Sequence, residues 1–275
     1  MSRRVEGVLV VAAVLVAGCA SQTSTDVVAE DDVVHVHDLL IREDDTVLAA
    51  THSGLYRVDD DGLDPIGDRR HDLMAAVLEG DAILASGHPD LRDDSLRVED
   101  RPPLLGIVES TDGQTWSERS LLGEADFHRL VFAEDELFAA NSSAGAVWVS
   151  ADAGATWVAR DGAAQLIALA VDPNDSSQMI GVDLDRGLVR SENGGDTWAE
   201  TEGPALVDLA WTADGVIGHD DAGGVHRLDG AEWLTVEVIG DVAALGVRGD
   251  ELFALRLPST VLRSIDGGST WKKLP

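Results

Sequence analysis

Histidine is the side chain with the most varied chemistry in this sequence, and its eight copies are unevenly distributed. The first half of the chain contains His35, His37, His52, His71, His88 and His128. An imidazole can bind a transition metal, hydrogen-bond a polar ligand, or change its charge close to neutral pH. Whether these residues act together depends on the elements that carry them.

A repeated turn motif defines those elements. The unit Ser-x-Asp/Asn-x-Gly-x-Thr-Trp occurs in three complete copies, which end at Trp157, Trp198 and Trp271. A copy one residue shorter ends at Trp116, and a degraded copy ends at Trp233. The five tryptophans are 35 to 41 residues apart, which is the length of one β-propeller blade.

The motif has the chemistry of a hairpin turn. Its Asp or Asn accepts backbone N–H groups within the turn, its Gly supplies a positive φ, and its Trp packs on the hairpin. We therefore predict a structural role for Asp112, Trp116, Asp152, Trp157, Asn193, Trp198, Asp266 and Trp271. The motif is known as the Asp-box, or BNR repeat, and it indicates a fold more strongly than a function.

Short runs rich in Val, Leu and Ala precede each motif, with turn residues between them, and this pattern favours strands over helices. The predicted fold is all-β, a propeller of six blades rather than seven, with Asp-box turns between the third and fourth strands. The propeller spans residues 33–275. Its blades fall near residues 33–67, 70–119, 124–160, 163–201, 204–237 and 240–275. Ring closure by an exchanged strand is not evident, although residues 27–34 could supply one.

The topology of a propeller predicts where the histidines meet. The loops that enter the first strand of each blade and leave the second strand surround one mouth of the central channel. Seven of the eight histidines map to that mouth, and the six in the first half of the chain belong to blades 1–3. Random placement would rarely produce this distribution.

The sequence allows three interpretations of the mouth. The histidines could cap strand ends, form a polar pocket for a small ligand or glycan, or bind a divalent metal with a carboxylate. The predicted ligand-binding residues are His35, His37, His52, His71, His88, His128, Arg70 and Asp126. The candidate metal ligands are His35, His37, His52, His88 and His128. No short-range ligand spacing in the sequence indicates a metal site. The metal hypothesis therefore depends on the fold bringing these histidines together.

A long insertion follows the second strand of blade 2. Residues 88–103 are charged and contain several prolines. The same topology places this segment over the mouth, as a lid, a recognition loop or a solvated excursion.

The N-terminus predicts export. Residues 1–19 have a positive start and an apolar run that is too short to span a bilayer, so they predict a signal peptide. The run ends in Val-Ala-Gly-Cys, which resembles the lipobox of bacterial lipoproteins and implies lipidation of Cys19. An ordinary signal peptide with an incidental cysteine is the alternative. Residues 20–32 predict a flexible acidic tether, and the expected location is the outer side of the cytoplasmic membrane.

The charge balance limits the partners. The chain has 51 acidic and 20 basic residues, a net charge of −31. Such a field repels nucleic acid and anionic membrane surfaces, so we expect no nucleic-acid partner and membrane contact only through the lipid. We expect a monomer, with a cell-envelope protein or a glycan as the partner.

Five stretches of the chain resemble a family of secreted prokaryotic propellers described as sialidase-like or as glycosyl hydrolases. They are residues 35–39, 50–55, 67–74, 85–89 and 125–128. The resemblance covers most of the propeller and implies fold more than activity. The Tyr nucleophile of sialidases has no match, because Tyr56 is the only tyrosine and falls on a third strand. The Phe/Tyr-Arg-Ile-Pro element is missing too.

The sequence therefore predicts a lipid-anchored propeller that binds a small ligand, a glycan or a protein at a histidine-rich mouth. The alternative is a non-standard glycosyl hydrolase that uses the same mouth, with Asp38, Asp72 and Asp126 as candidate carboxylates. No catalytic residue is assigned. The only cofactor considered is a divalent metal.

Overall fold

Short apolar runs separated by turns form 24 strands in the part of the chain that the structure describes. The computed structural model describes residues 35–274, apart from 239 and 241. The predicted signal peptide, Cys19 and the tether lie outside these residues. The strands form six antiparallel sheets, each made of four strands that follow one another in the chain.

The first three sheets are blades 1–3. Blade 1 consists of β1 Val36–Ile41, β2 Val47–Thr51, β3 Gly54–Asp59 and β4 Gly62–Pro65. Blade 2 consists of β5 Asp72–Glu79, β6 Ala82–His88, β7 Ile107–Ser110 and β8 Ser117–Ser120. Blade 3 consists of β9 Phe127–Ala133, β10 Glu136–Asn141, β11 Ala146–Ser150 and β12 Val158–Ala163.

The last three sheets are blades 4–6. Blade 4 consists of β13 Leu166–Asp172, β14 Asp175–Asp183, β15 Gly187–Ser191 and β16 Ala199–Glu200. Blade 5 consists of β17 Asp208–Thr212, β18 Gly215–His219, β19 Gly224–Asp229 and β20 Glu232–Val238. Blade 6 consists of β21 Val242–Arg248, β22 Glu251–Arg256, β23 Thr260–Ser264 and β24 Lys272–Lys273. The predicted all-β, six-bladed propeller is confirmed.

The core is divided among the interfaces between blades. Six apolar clusters are buried, one between each pair of neighbouring blades. The cluster between blades 6 and 1 joins Phe253 and Leu255 to Leu39 and Ala49, and it closes the ring. Every described strand pairs within its own blade, so closure depends on apolar burial rather than on an exchanged strand. Residues 27–34, considered for that exchange, lie outside the described residues.

The Asp-box turns lie between third and fourth strands, as predicted. In blade 3 the Asp152 carboxylate accepts bonds from the Thr156 backbone N–H and hydroxyl, both at 2.7 Å. The Ser150 hydroxyl accepts the Gly154 N–H at 2.7 Å. The bonds from Thr156 hold the pKa of Asp152 at about 2. These local bonds satisfy the backbone of a tight turn, so the motif acts as a folding device.

The insertion of blade 2 packs onto the propeller. It contains a short 3₁₀ helix, Asp94–Leu96, and the Asp93 carboxylate caps this helix by accepting the Ser95 N–H. The Leu96 side chain is buried in the apolar cluster between blades 1 and 2. This anchor makes the segment part of the blade rather than a solvated excursion. No helix among the described residues is long and apolar enough to cross a membrane.

A buried ion cluster crosses the central channel. The Arg129 guanidinium on β9 donates to Asp38 on β1 and to Asp208 on β17. The second oxygen of Asp38 accepts the Ala76 N–H of blade 2 at 2.9 Å, and that of Asp208 accepts the Leu245 N–H of blade 6 at 3.1 Å. We call Arg129, Asp38 and Asp208 the channel clamp. It ties five of the six blades together.

The clamp residues occupy equivalent positions on the inner strands of blades 1, 3 and 5. The strand registers place Ala75, Ala168 and Ala244 at the same position in blades 2, 4 and 6. All three alanines are fully buried. Their small side chains leave space at the channel axis for the charged side chains of the channel clamp.

We expect Arg129→Met to lower the free energy of unfolding by about 3–5 kcal/mol, because it leaves two buried carboxylates without a cation. Urea unfolding at pH 7 measures the change. Arg57→Met is the control, since the ion pairs of Arg57 with Asp59 and Asp64 are exposed, and it should cost less than about 1 kcal/mol. Equal losses in the two variants would contradict the clamp.

Candidate functional site

Two β-bulges aim histidines toward one mouth of the channel. Val36 pairs with Thr51 and Asp38 with Ala50, which leaves His37 as the extra residue of β1. His128 is the extra residue at the equivalent place on β9. A bulge bends its strand and redirects the side chain of the unpaired residue. In the sequence, His37 directly precedes Asp38 of the channel clamp, and His128 directly precedes Arg129.

Three imidazoles of blade 1 form a compact group. The ring centroid of His37 lies 4.7 Å from that of His35 and 4.4 Å from that of His52, and the rings of His35 and His52 are 5.1 Å apart. His37 Nε2 is 3.2 Å from His52 Nδ1. One ring nitrogen from each residue lies within 4.8 Å of the others, a spacing that one metal ion could span.

Asp72 links this group to blade 2. It begins β5 and pairs directly with His88 at the end of β6. Asp72 Oδ1 lies 2.8 Å from His52 Nδ1 and 3.7 Å from His37 Nε2. Asp72 Oδ2 lies 3.4 Å from His88 Nδ1. The carboxylate therefore faces imidazoles of two blades.

Asp126 and His128 continue the cluster into blade 3. One oxygen of Asp126 accepts bonds from the Ser142 hydroxyl at 2.8 Å and from His128 Nε2 at 3.2 Å. The other oxygen, Oδ1, is buried and has no hydrogen-bond partner among the residues that the structure describes; it lies 3.9 Å from His88 Nε2. We call His35, His37, His52, Asp72, His88, Asp126 and His128 the histidine mouth.

Burial and mutual proximity set the charge of the mouth. Burial, reinforced by the neighbouring His52 and His35, lowers the pKa of His37 to about 4. Burial and the neighbouring His52 also lower the pKa of His35. Burial by itself would raise the pKa of Asp126, but the hydrogen bonds from His128 and Ser142 outweigh it and lower the value. At neutral pH His37 is therefore neutral and Asp126 is ionised.

The structure brings together five of the six histidines predicted for the site, along with Asp126. His71 does not join them. It is 1 % exposed, its Nδ1 accepts the Asp90 N–H at 2.9 Å, and its ring packs edge-on to Trp116. Arg70 does not join them either, because its guanidinium donates to the carbonyls of Gly67 and Arg69. Both residues stabilise the loop before β5.

His219 occupies a separate place at the same end of the channel. It is buried, and its Nδ1 donates to the Asp220 carbonyl at 3.0 Å. Its Nε2 lies 3.9 Å from Asp208, beside the channel clamp. His226, which the topology excluded from the mouth, lies on β19 and contacts Asp220.

Two features of the site are not specified by the sequence. Asp72 is predicted only as one of three candidate carboxylates for hydrolysis, and its pairing with His88 is what places it among the imidazoles. Arg129 follows a candidate histidine directly, but its two carboxylate partners lie 91 and 79 residues away. The usable signal was a charged residue directly before a leucine on the inner strands of three alternate blades, at Asp38, Arg129 and Asp208.

The opposite end of the channel is a separate cavity of about 780 Å³. Apolar residues of the inner strands line its wall. Its rim carries charged residues in or beside the turns between first and second strands, such as Arg42, Asp81 and Arg248 at the end of β21. Asp38 and Arg129 form its inner end. The channel clamp thus separates this cavity from the histidine mouth.

No protein-family model matches the sequence, and no curated protein does. Among solved structures, the chain is similar to virginiamycin B lyase from Staphylococcus aureus, with a TM-score of 0.54, 10 % identity, and coverage of 88 % of this chain and 84 % of the lyase. It is similar to YCF48 bound to D1 peptide, with a TM-score of 0.50, 18 % identity, and coverage of 87 % and 81 %.

A GH74 xyloglucanase from Xanthomonas campestris has a TM-score of 0.50 and 18 % identity. That match covers 88 % of this chain but only 38 % of the xyloglucanase chain. At these identities the comparisons establish the β-propeller fold alone. Because the same fold serves a lyase, a hydrolase and a protein with a bound peptide, it does not select a function.

We expect the free energy of unfolding to decrease at acidic pH, and we assign this effect to the protonation of His219. Burial lowers its pKa below 6.5, and Arg129, Asp208 and Asp220 face it. The unfolded chain therefore binds the proton first, so its contribution to stability is complete above pH 6.5 and decreases as the pH falls below that value. Urea unfolding between pH 7.5 and pH 5 measures this slope.

His219→Asn removes the titrating group and keeps a donor for the Asp220 carbonyl. We expect it to flatten the slope by up to about 1.4 kcal/mol per pH unit. An unchanged slope would mean that the protonation of His219 does not differ between the folded and unfolded states.

Proposed function

We propose that this chain is a binding propeller of the cell envelope whose histidine mouth holds a divalent transition-metal ion. The proposed ligands are His35, His37, His52 and Asp72. The observation that carries the proposal is the convergence of three imidazoles, with one nitrogen of each within 4.8 Å of the others.

The donor set suits zinc and its neighbours. Three imidazoles with a carboxylate form a common ligand set for Zn²⁺, and imidazole also suits copper and nickel. Asp72 contacts two of the three imidazoles, so it is placed to supply a fourth ligand or to orient the rings. The His52 side chain is half exposed, which gives an ion a path from solvent.

An ion would also account for the crowding of the group. Three imidazole rings within about 5 Å of one another, with His37 largely buried, lose hydration and gain few hydrogen bonds in return. Coordination replaces that lost hydration. A protein segment or a glycan could then complete the coordination from the open side, as a partner of the loaded site.

Glycoside hydrolysis is the weaker candidate. Asp38 is bound by Arg129 in the channel clamp, and Tyr56 lies on β3, where its hydroxyl contacts Ser53. The remaining carboxylates, Asp72 and Asp126, already face imidazoles. That arrangement favours ion binding over an acid and nucleophile pair. The YCF48 structure with its D1 peptide agrees with a protein partner.

Zinc titration of the purified, chelator-treated protein tests the metal site. We expect a dissociation constant of about 1 µM or lower. His37→Ala should weaken binding by about 100-fold or more, because loss of even an outer-shell partner costs about 10- to 100-fold.

His226→Ala is the matched control for this titration, since it removes a histidine of blade 5 and should leave the affinity unchanged. Calorimetry reports both values. Equal affinities of the wild type and His37→Ala, or no zinc binding by the wild type, would refute the proposed site.

We also propose that Cys19 carries a lipid anchor after signal cleavage. Cys19→Ala should move the protein from the membrane fraction to the soluble fraction, because residues 20–32 carry no apolar run to replace the lipid. Fractionation with immunodetection measures the distribution, with Ser21→Ala as the control. Retention of Cys19→Ala in the membrane fraction would disprove the anchor.

A further inference from the structure

Blade 4 repeats the bulge that carries His37 in blade 1. The pairing of β13 with β14 skips Ile167, as the pairing of β1 with β2 skips His37. Each of these residues directly precedes the inner-strand position of the channel clamp, which is Asp38 in blade 1 and Ala168 in blade 4. Ile167 is therefore the counterpart of His37. In a ring of six blades, blades 1 and 4 lie on opposite sides of the channel.

A second position of the imidazole group has a counterpart in blade 4. In blade 1 the His52 N–H donates to the His35 carbonyl at 3.2 Å, and in blade 4 the Leu184 N–H donates to the Gln165 carbonyl at 3.0 Å. Leu184 thus occupies the position of His52. Two of the three imidazole positions of the proposed metal site are filled by aliphatic side chains in the opposite blade.

Val207 extends the aliphatic side of the mouth into blade 5. It directly precedes Asp208, and its N–H donates at 2.9 Å to the carbonyl of His219, the residue that pairs with Asp208. Two residues therefore oppose one there, as at the bulges. We call Ile167, Leu184 and Val207 the apolar rim. Their exposed fractions are 39 %, 67 % and 41 %, so all three are open to a ligand.

The apolar rim divides the mouth into two kinds of surface. Single exposed apolar side chains are ordinary on a protein, but these three share one opening with the imidazoles. Donor atoms lie on the side of blades 1–3, and aliphatic surface lies on the side of blades 4 and 5. This division suits a ligand with a polar head and an apolar body.

The size of the apolar rim and the charge of the chain limit the ligand. Three side chains are few beside the roughly 20–30 residues that each partner contributes to a standard protein interface, so the rim suits a small molecule. A carboxylate is an accepted ligand of zinc and could complete the coordination from the open side. The net charge of −31 disfavours ligands with several negative charges.

We propose that the histidine mouth binds a small aliphatic carboxylic acid, with the carboxylate on the metal ion and the hydrocarbon chain against the apolar rim. The inference rests on the proposed function, because the ion holds the head of the ligand. It selects one ligand class among those that could complete the site, since a glycan would leave the apolar rim without an apolar partner.

Acids with the same head and different bodies test the proposal. Protein loaded with Co²⁺, whose visible absorption changes when a ligand coordinates, is titrated with acetate, octanoate and glucuronate. Octanoate should bind at least about 10-fold more tightly than acetate, because each buried methylene group contributes up to about 4-fold. Glucuronate has a polar body and should bind no more tightly than acetate.

A double variant locates the apolar contact. Ile167→Ser combined with Leu184→Ser should reduce the advantage of octanoate over acetate to about 3-fold or less. The affinities for Co²⁺ and acetate should stay unchanged, and the exposure of both side chains preserves the fold. Ile265→Ser is the matched control. Ile265 is exposed in the Asp-box turn after β23, at the end of the strands away from the mouth, so this variant should keep the wild-type preference.

The outcomes separate this inference from the proposed function. If the cobalt-loaded protein binds octanoate and acetate equally, or binds neither, the inference is overturned and the metal site stands. An advantage of octanoate that survives in the double variant would also overturn it. Tighter binding of glucuronate than of octanoate would assign the mouth to a sugar acid instead. Failure of the wild type to bind Co²⁺ would overturn the proposed function, and this inference with it.

Discussion

The ion cluster of Arg129 with Asp38 and Asp208 connects blades that do not touch one another through their apolar faces. Radial sheets contact only their neighbours, and apolar burial between blades has no direction that would fix their register around an axis. The cluster crosses that axis. It joins blades 1, 3 and 5 through side chains, and blades 2 and 6 through backbone N–H groups. Burial raises the pKa of Asp38 even against the attraction of Arg129, so the cluster is maintained against a real cost of desolvation.

The same cluster positions the histidine mouth. Asp38 directly follows the bulged His37, and Arg129 directly follows the bulged His128. Arg129 also donates to the backbone carbonyl of His37 at 3.2 Å. Fixing the two charged side chains on the axis therefore fixes the two bulges, and with them the direction of both imidazoles. The clamp also closes the floor of the mouth and separates it from the apolar cavity on the opposite face, so each end of the channel has its own chemistry.

The mouth differs from the rest of the fold in how its carboxylates are paired. Elsewhere in the described part of the chain, buried carboxylates bond to turns or to arginines, as in the bond between Arg186 and Asp183. At the mouth, imidazoles lie against imidazoles, and one oxygen of Asp126 is left without a partner. Local violations of packing and hydrogen bonding are expected at functional sites, where a ligand supplies what the chain omits. The net charge of −31 also attracts cations toward the surface of the protein.

Patterns along the chain predict the six blades, the turns that close the outer hairpins, and the placement of histidines near the ends of the inner strands. These features are local: an Asp-box satisfies its own backbone within five or six residues, and alternating apolar runs specify strands wherever they occur. Which side chains contact one another is known only from the folded chain. His71 accepts a hydrogen bond from the Asp90 N–H instead of joining the mouth. Asp72 contacts imidazoles of two blades, and Arg129 binds carboxylates that lie 91 and 79 residues away in the sequence. The physical reason is that contacts across a propeller depend on bulges and on the radial packing of separate sheets, and neither is encoded in the spacing along the chain.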